Sequence, residues 1–189
     1  MLKELVVKNR SYRRFDENVP ISTATLQELV DLARLCASGA NRQPLKYLLS
    51  NTPEQNALIF PHLAWAGYLT DWAGPAEGER PTAYIVMVGD TAIAKTFGCD
   101  HGIAAQTILL GAAELGLGGC MIASIQLAPL REALHLDERY EIVLVLALGK
   151  PKESVVIESV AAAGDIKYWR DAQGVHHVPK RALAEIRLD

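Results

Sequence analysis

Residues 101–115 constrain this chain most. They carry helix-forming and apolar side chains (Ile103, Ala104, Ala105, Ile108, Leu109, Leu110, Ala112, Ala113) and few polar ones. Asp100 stands at the N-cap place, and Gly116 and Gly118 stop the run. A helix apolar over most of its surface has to be covered on several sides. Strand-like runs flank it at 82–88 and 120–125, and a further buried run, 141–148, follows a helix opened by Pro129.

The N-terminal half alternates in the same way. Residues 2–8 read as a short helix. In the next one Leu26, Leu29, Val30 and Ala33 recur at helical spacing, Thr25 and Glu28 have capping-box spacing, and Gly39 takes the C-terminal glycine place. Residues 46–50 read as a strand. Thr52-Pro53-Glu54-Gln55 then opens a helix to about residue 59. Residues 60–81 are irregular, with several Gly and Pro and with Trp65 and Trp72, and the more polar tail from 151 ends in an amphipathic piece at 182–186. About four core strands and five or more helices make a mixed α/β chain, too few strands for a full doubly wound nucleotide fold.

Composition narrows the class further. At 189 residues the chain is one domain, and its longest apolar run, 142–148, is far below the ~18 residues of a membrane span. The first residues carry an early acid and no apolar signal stretch. Cys36, Cys99 and Cys120 are odd in number and widely spaced, which disfavours a disulfide framework or zinc site. A net charge of −3 disfavours a nucleic-acid binder. The expectation is a cytoplasmic protein with no nucleic-acid or membrane partner and no metal. Gly116-Leu117-Gly118-Gly119 has Met121 where a dinucleotide fingerprint needs its third glycine, and it follows a helix, so it reads as a helix end and tight turn. Neither a P-loop nor a G-x-S-x-G elbow occurs. His176-His177 reads as a solvent-exposed pair, on opposite faces if the segment is a strand.

Three segments keep two readings each. Arg10, Arg13 and Arg14 around Ser11 are either a solvated basic turn or an anion cradle, because guanidinium forks match phosphate oxygens. Residues 37–44 are either a plain connection or a stretch of small residues and amides that admits a flat heterocycle. Pro179-Lys180-Arg181 is a basic tail unless the chain returns it to the first arginines.

Taken in order, R-S-x-R-x-F (Arg10, Ser11, Arg13, Phe15), S-G-A-N-x-Q-P (Ser38 to Pro44), D-x-G-I-A-A-Q from Asp100, a later strand ending L-G-K-P, and P-K-R-x-L-x-E-I (Pro179 to Ile186) resemble the flavin-dependent nitroreductase family. The resemblance spans essentially the whole chain. It implies an α+β fold, a three-layer α/β/α sandwich around a mixed sheet of about four to five strands, in an obligate homodimer with one FMN per subunit between the chains. It also implies one domain over 1–189, a variable lid at 60–81, and an extension at 151–189 that wraps the partner. Arg10, Ser11 and Arg13 would hold FMN phosphate and ribityl oxygens, with Arg13 reaching the pyrimidine side as electrostatic stabiliser. Ser38, Gly39, Ala40 and Asn41 would line the ring from the partner chain, and Gln43 is a further cofactor-binding candidate. Met121, Ile122 and Ala123 would pass beside it, and Lys180 with Arg181 would complete the phosphate site. Trp65 and Trp72 are candidates to stack on a substrate. The implied activity moves hydride from NADH or NADPH through the flavin to a nitroaromatic, quinone or similar electrophile. The alternatives are a dehalogenase or oxidase of the same fold, or a non-catalytic flavin-binding sensor. Asn9 stands where many members carry another arginine, and Leu45 where many carry tryptophan.

Overall fold

Helix and strand alternate as α1 (Leu2–Lys8), β1 (Phe15–Asp16), α2 (Thr23–Arg34), β2 (Leu45–Ser50), α3 (Pro53–Ile59), β3 (Ala83–Asp90), α4 (Asp100–Glu114), β4 (Gly118–Ile122), α5 (Leu127–Ala133), β5 (Tyr140–Pro151), β6 (Val155–Ser159), β7 (Trp169–Arg170), β8 (His176–Lys180) and α6 (Leu183–Ile186). This is a computed structural model that describes residues 1–161 and 164–188; the expected extension 151–189 includes 162, 163 and 189, which lie outside the described residues.

The two-residue period of the strands builds two cores. Ala83, Ile85 and Met87 of β3 and Leu144, Leu146 and Leu148 of β5 face one way, under Leu26 and Leu29 of α2 and Ala105, Ile108 and Leu109 of α4. Tyr84, Val86 and Val88 face the other way with Val145 and Ala147, under Ile59 of α3 and Leu130 of α5. Helices therefore cover both faces, giving the expected three layers. Between Met87 and Val88 the register shifts, Met87 standing opposite Leu144 and Val88 opposite Ile142. That bulge at Val143 sends Ile142 and Leu144 to opposite cores.

The main sheet has five strands. β2 pairs β3, β3 pairs β5, and β5 also pairs β4 and, at its last residues, β1, every ladder antiparallel. The expected mixture of directions is confined to one parallel bridge, Ser11 to Gly119. Close packing explains the glycine there, since a Cβ on Gly119 would meet the Ala147 carbonyl at 2.6 Å and Leu109 Cδ2 at 2.6 Å.

Three local readings are corrected. The cap of α2 is Ser22, whose hydroxyl accepts from the Thr25 N–H at 3.0 Å, and Thr25 lies inside the first turn. Helix α2 stops at Arg34, so Gly39 is no helix terminus but the start of a 3-10 turn, Gly39–Asn41. Asp100 is the first residue of α4, with Cys99 at the cap, and its carboxylate serves another segment. The tail also holds more structure than its polarity indicates. β6 runs parallel and β7 antiparallel to β8 in a separate three-stranded sheet.

Candidate functional site

After α1 the chain crosses the start of β4. The Tyr12 N–H donates to the Gly119 carbonyl at 3.0 Å, so the polar backbone groups of Gly119 point away from β5. By the strand period, those of Met121 point to the same open edge. That edge borders a cavity of about 220 Å³ lined by Arg13, Trp65, Gly67, Cys120, Met121 to Ser124, and Tyr168. Burial pushes the Cys120 thiol up, so it stays protonated and is no nucleophile.

The three arginines of this stretch separate into different roles. Arg14 is committed to Glu79 through a two-point pair at 2.6 and 2.5 Å, which holds the Glu79 carboxyl below its usual range. Arg10 donates one arm to the Val6 carbonyl at 2.7 Å, at the end of α1, while its Nε is buried without a partner among the described residues. Arg13 lies with its guanidinium carbon 4.9 Å from the centre of the Tyr168 ring, and its Nη1 is 3.4 Å from His176 Nε2.

The wall behind Arg13 comes from the tail. Glu153, whose side chain is 1% exposed, accepts from Arg170 at 2.9 Å and from the backbone N–H groups of Arg13 and Arg14. This one carboxylate fastens the tail sheet to the N-terminal arginines. His176 is buried, which overturns the expectation of an exposed histidine pair; burial, with the charges of Arg13 and Arg170, lowers its pKa to about 4. It is therefore neutral at neutral pH, and Nε2 can accept from Arg13. His177 does lie on the other face of β8, between Glu158 at 2.5 Å and Asp171 at 3.1 Å.

Residues 38–43 form a second polar feature. The Asp100 carboxylate accepts from the Ser38 hydroxyl at 2.6 Å and from the Gly39 N–H at 2.9 Å, and Ser38 Oγ accepts from the Gln43 N–H at 2.9 Å. Around these anchors Ala40, Asn41 and Gln43 adopt φ of 51°, 54° and 52°, the left-handed region that costs non-glycine residues. Gly39, Ala40, Asn41 and Gln43 are all exposed.

Arg13, Trp65, Met121, Ile122 and Ala123 therefore meet at one cavity, with Arg10 and Ser11 just beyond it. Ser38 to Gln43 stand elsewhere, at the Asp100 end of α4, whereas Gly119 follows its other end. A helix of 15 residues separates the two by about 22 Å. Trp72 is not among the cavity residues and lies instead under the Arg170 guanidinium at 4.7 Å. Lys180 and Arg181 are exposed, and among the described residues no hydrogen bond or ion pair joins their side chains to Arg10 or Arg13. Sequence reasoning missed Tyr168, His176 and Glu153. The available signal was a buried-type aromatic and histidine in a tail otherwise polar. Among the described residues no cluster of three His, Cys, Asp or Glu is set to hold a metal, and no helix is long and apolar enough to cross a membrane.

The fold is a three-layer α+β sandwich with Arg13 at a cavity beside the outer edge of β4. The chain belongs to the nitroreductase family, whose sequence model matches residues 6–150. A 4-nitrobenzoate reductase of Pseudomonas putida is 24% identical over 217 aligned residues, covering 92% of this chain and 93% of that protein. The nitroreductase family protein of Streptococcus pneumoniae TIGR4 superposes with TM-score 0.71 at 16% identity, over 86% of this chain and 96% of its own. That of Clostridium novyi NT superposes with TM-score 0.67 at 19% identity, over 100% and 99%. A nitroreductase-type structure from Exiguobacterium sibiricum 255-15, solved in complex with FMN, gives TM-score 0.67 at 21% identity over 80% and 89%. Likeness at these identities concerns the fold.

Proposed function

We propose that the protein is an FMN-dependent oxidoreductase that takes electrons from NADH or NADPH and passes them to a nitroaromatic, quinone or related electrophile. The observation that carries this reading is the convergence at the open edge of β4. Two guanidinium groups that no carboxylate among the described residues holds, Arg10 and Arg13, stand beside the edge of β4 that faces away from β5. Buried, unpartnered atoms gather in the same region: Arg10 Nε, Trp65 Nε1 and His176 Nδ1. Buried polar atoms without partners are rare in native folds, so a polar, anionic, flat-bodied ligand fits this set. The Exiguobacterium relative, with its FMN, supports the choice of ligand.

FMN bound there would supply a centre that accepts hydride and returns it to an acceptor. The chain contributes placement and charge. Arg13, held by Tyr168 and by neutral His176, offers a fixed cation to negative charge that builds on the bound group. Arg10 and Ser11 offer donors to a phosphate, with Lys180 and Arg181 as further candidates. Met121 to Ala123 offer a backbone edge to the heterocycle, and Trp65 offers a flat wall to the acceptor.

At about 220 Å³ the cavity is smaller than the roughly 300–1,000 Å³ of ordinary ligand sites, so one chain presents part of a site. The rest is assigned to a second copy. Leu32 and Leu35 around the end of α2, Val6 and Val7 of α1, and Ile103 of α4 are exposed apolar side chains on helices that pack together. A two-fold axis there reverses α4 and brings the Ser38 to Asn41 loop of one chain toward Arg10 of the other.

The test is the visible spectrum of the purified protein before and after anaerobic NADH or NADPH, with chromatography of the flavin released by heat. A flavin spectrum bleached by either nucleotide, and FMN as the released species, are expected. A colourless protein, mostly FAD, or a flavin reduced by neither donor would overturn the reading.

A further inference from the structure

A cavity of about 560 Å³ lies on the α3 side of the sheet and shares no residue with the Arg13 cavity. It opens between α3 and the turn that leads into β3, and its volume falls within the range of small-molecule sites. Pro20, Pro53, Pro61 and Pro81 contribute to its walls, so little backbone freedom is lost when it fills.

Two of its polar groups lack a hydrogen-bond or ion-pair partner among the described residues. Tyr84 is fully buried and its hydroxyl makes no hydrogen bond. Asn56, also lining the cavity, does not serve it, because that amide accepts from the Ser50 hydroxyl at 2.7 Å and donates to the Thr82 carbonyl at 2.9 Å. Arg80, at the exposed rim, lies 4.7 Å over the Phe60 ring and enters no ion pair among the described residues. The other rim charge, Glu17, turns onto the backbone N–H groups of Gly78 at 2.5 Å and Arg80 at 3.4 Å.

We propose that this cavity binds a small aromatic carboxylate, with the ring against Phe60 and the prolines, the carboxylate at Arg80, and an acceptor atom receiving the Tyr84 hydroxyl. The orientation follows from solvation, since an anion is tolerated at the rim and costly in the interior. Burial holds the Tyr84 phenol well above its ordinary range, so it donates and does not ionise.

The probe is 4-hydroxybenzoate, titrated by calorimetry into the protein as purified while the visible flavin band is recorded separately. One site per chain is expected, with Kd on the order of a millimolar or below. Tyr84→Phe should weaken binding about tenfold while thermal stability holds or rises, because an unsatisfied hydroxyl is removed. Arg80→Gln should weaken it at least as much, and the amide 4-hydroxybenzamide should bind wild type and Arg80→Gln alike. Isotherms of both variants that overlay wild type, or a heat signal that saturates only in step with a flavin-band shift, would place the probe elsewhere and overturn the proposal. Absence of saturation would do the same. The calorimetric signal does not depend on flavin, so this result and the spectral test above fail separately.

Discussion

His176 and His177 are adjacent in sequence and opposite in electrostatics. His176 is buried and faces Arg13, Arg170 and the Tyr168 ring, with its pKa lowered to about 4. His177, stacked on Trp169 at 4.0 Å, is raised by its hydrogen bonds to Asp171 and Glu158. The stability terms therefore have opposite signs. For His176 the folded value lies below the unfolded value of about 6.5, so its term is present above about pH 6.5 and is lost as pH falls toward 4. For His177 the term is present below about 6.5 and is lost as pH rises through the raised folded value. Thermal melts across pH should show His176→Gln losing less stability than wild type on acidification, and His177→Gln losing less on the alkaline side. Curves parallel to wild type would refute these assignments. Gly119→Ala is a steric case. The added methyl must displace the Ala147 carbonyl or Leu109, and urea unfolding should register a loss of about 1–3 kcal/mol.

Among the elements, the 38–43 segment and α4 act as a pair through Asp100. Asp100→Asn keeps one acceptor oxygen and turns an amide N–H₂ toward a second donor, so one of the bonds to Ser38 and Gly39 is lost. Faster amide exchange across 38–43, with α4 unchanged, and weaker FMN retention are expected. Exchange indistinguishable from wild type would show that the segment holds its shape without the carboxylate. The elements were legible wherever local chemistry dominates. Thr52, Pro53 and Gln55 open α3 as read, with Thr52 accepting from the Gln55 N–H at 3.3 Å, and Gly116 ends the α4 region at φ 70°. The cap of α2 was misread because Ser22 and Thr25 carry the same kind of hydroxyl three residues apart, and only backbone geometry separates them. The tail sheet was illegible because its parallel pairing joins residues 155–159 to 176–180 and follows no local apolar alternation. The same reason hid the tail's contribution to the cavity wall, Tyr168. Arg13, Met121 and Trp65 lie in segments that the sequence singled out, whereas Tyr168 lines the cavity and His176 lies behind Arg13 from a tail that Glu153, 140 positions from Arg13, ties to the N-terminal segment.

For the whole molecule, the test of a shared site is complementation. One variant carries Arg10→Ala and Arg13→Ala, and the other carries Gly39→Trp; neither homodimer should hold FMN. If the site is shared between two copies, refolding them together at equal amounts gives mixed dimers with one site carrying every lesion and one carrying none. Flavin content and NADH oxidation should then return to about a quarter of the wild-type level per chain if pairing is random. Colourless heterodimers would place the site within one chain. The length of α4 has a further consequence. If the site is shared between two copies as proposed, a rigid spacer that keeps Ser38 to Asn41 about 22 Å from Gly119 in the same chain would make cofactor retention and subunit association a single linked equilibrium. Colour would then obey mass action in protein as well as in FMN: dilution at constant free FMN should bleach the protein, and excess FMN should pull separated subunits back together.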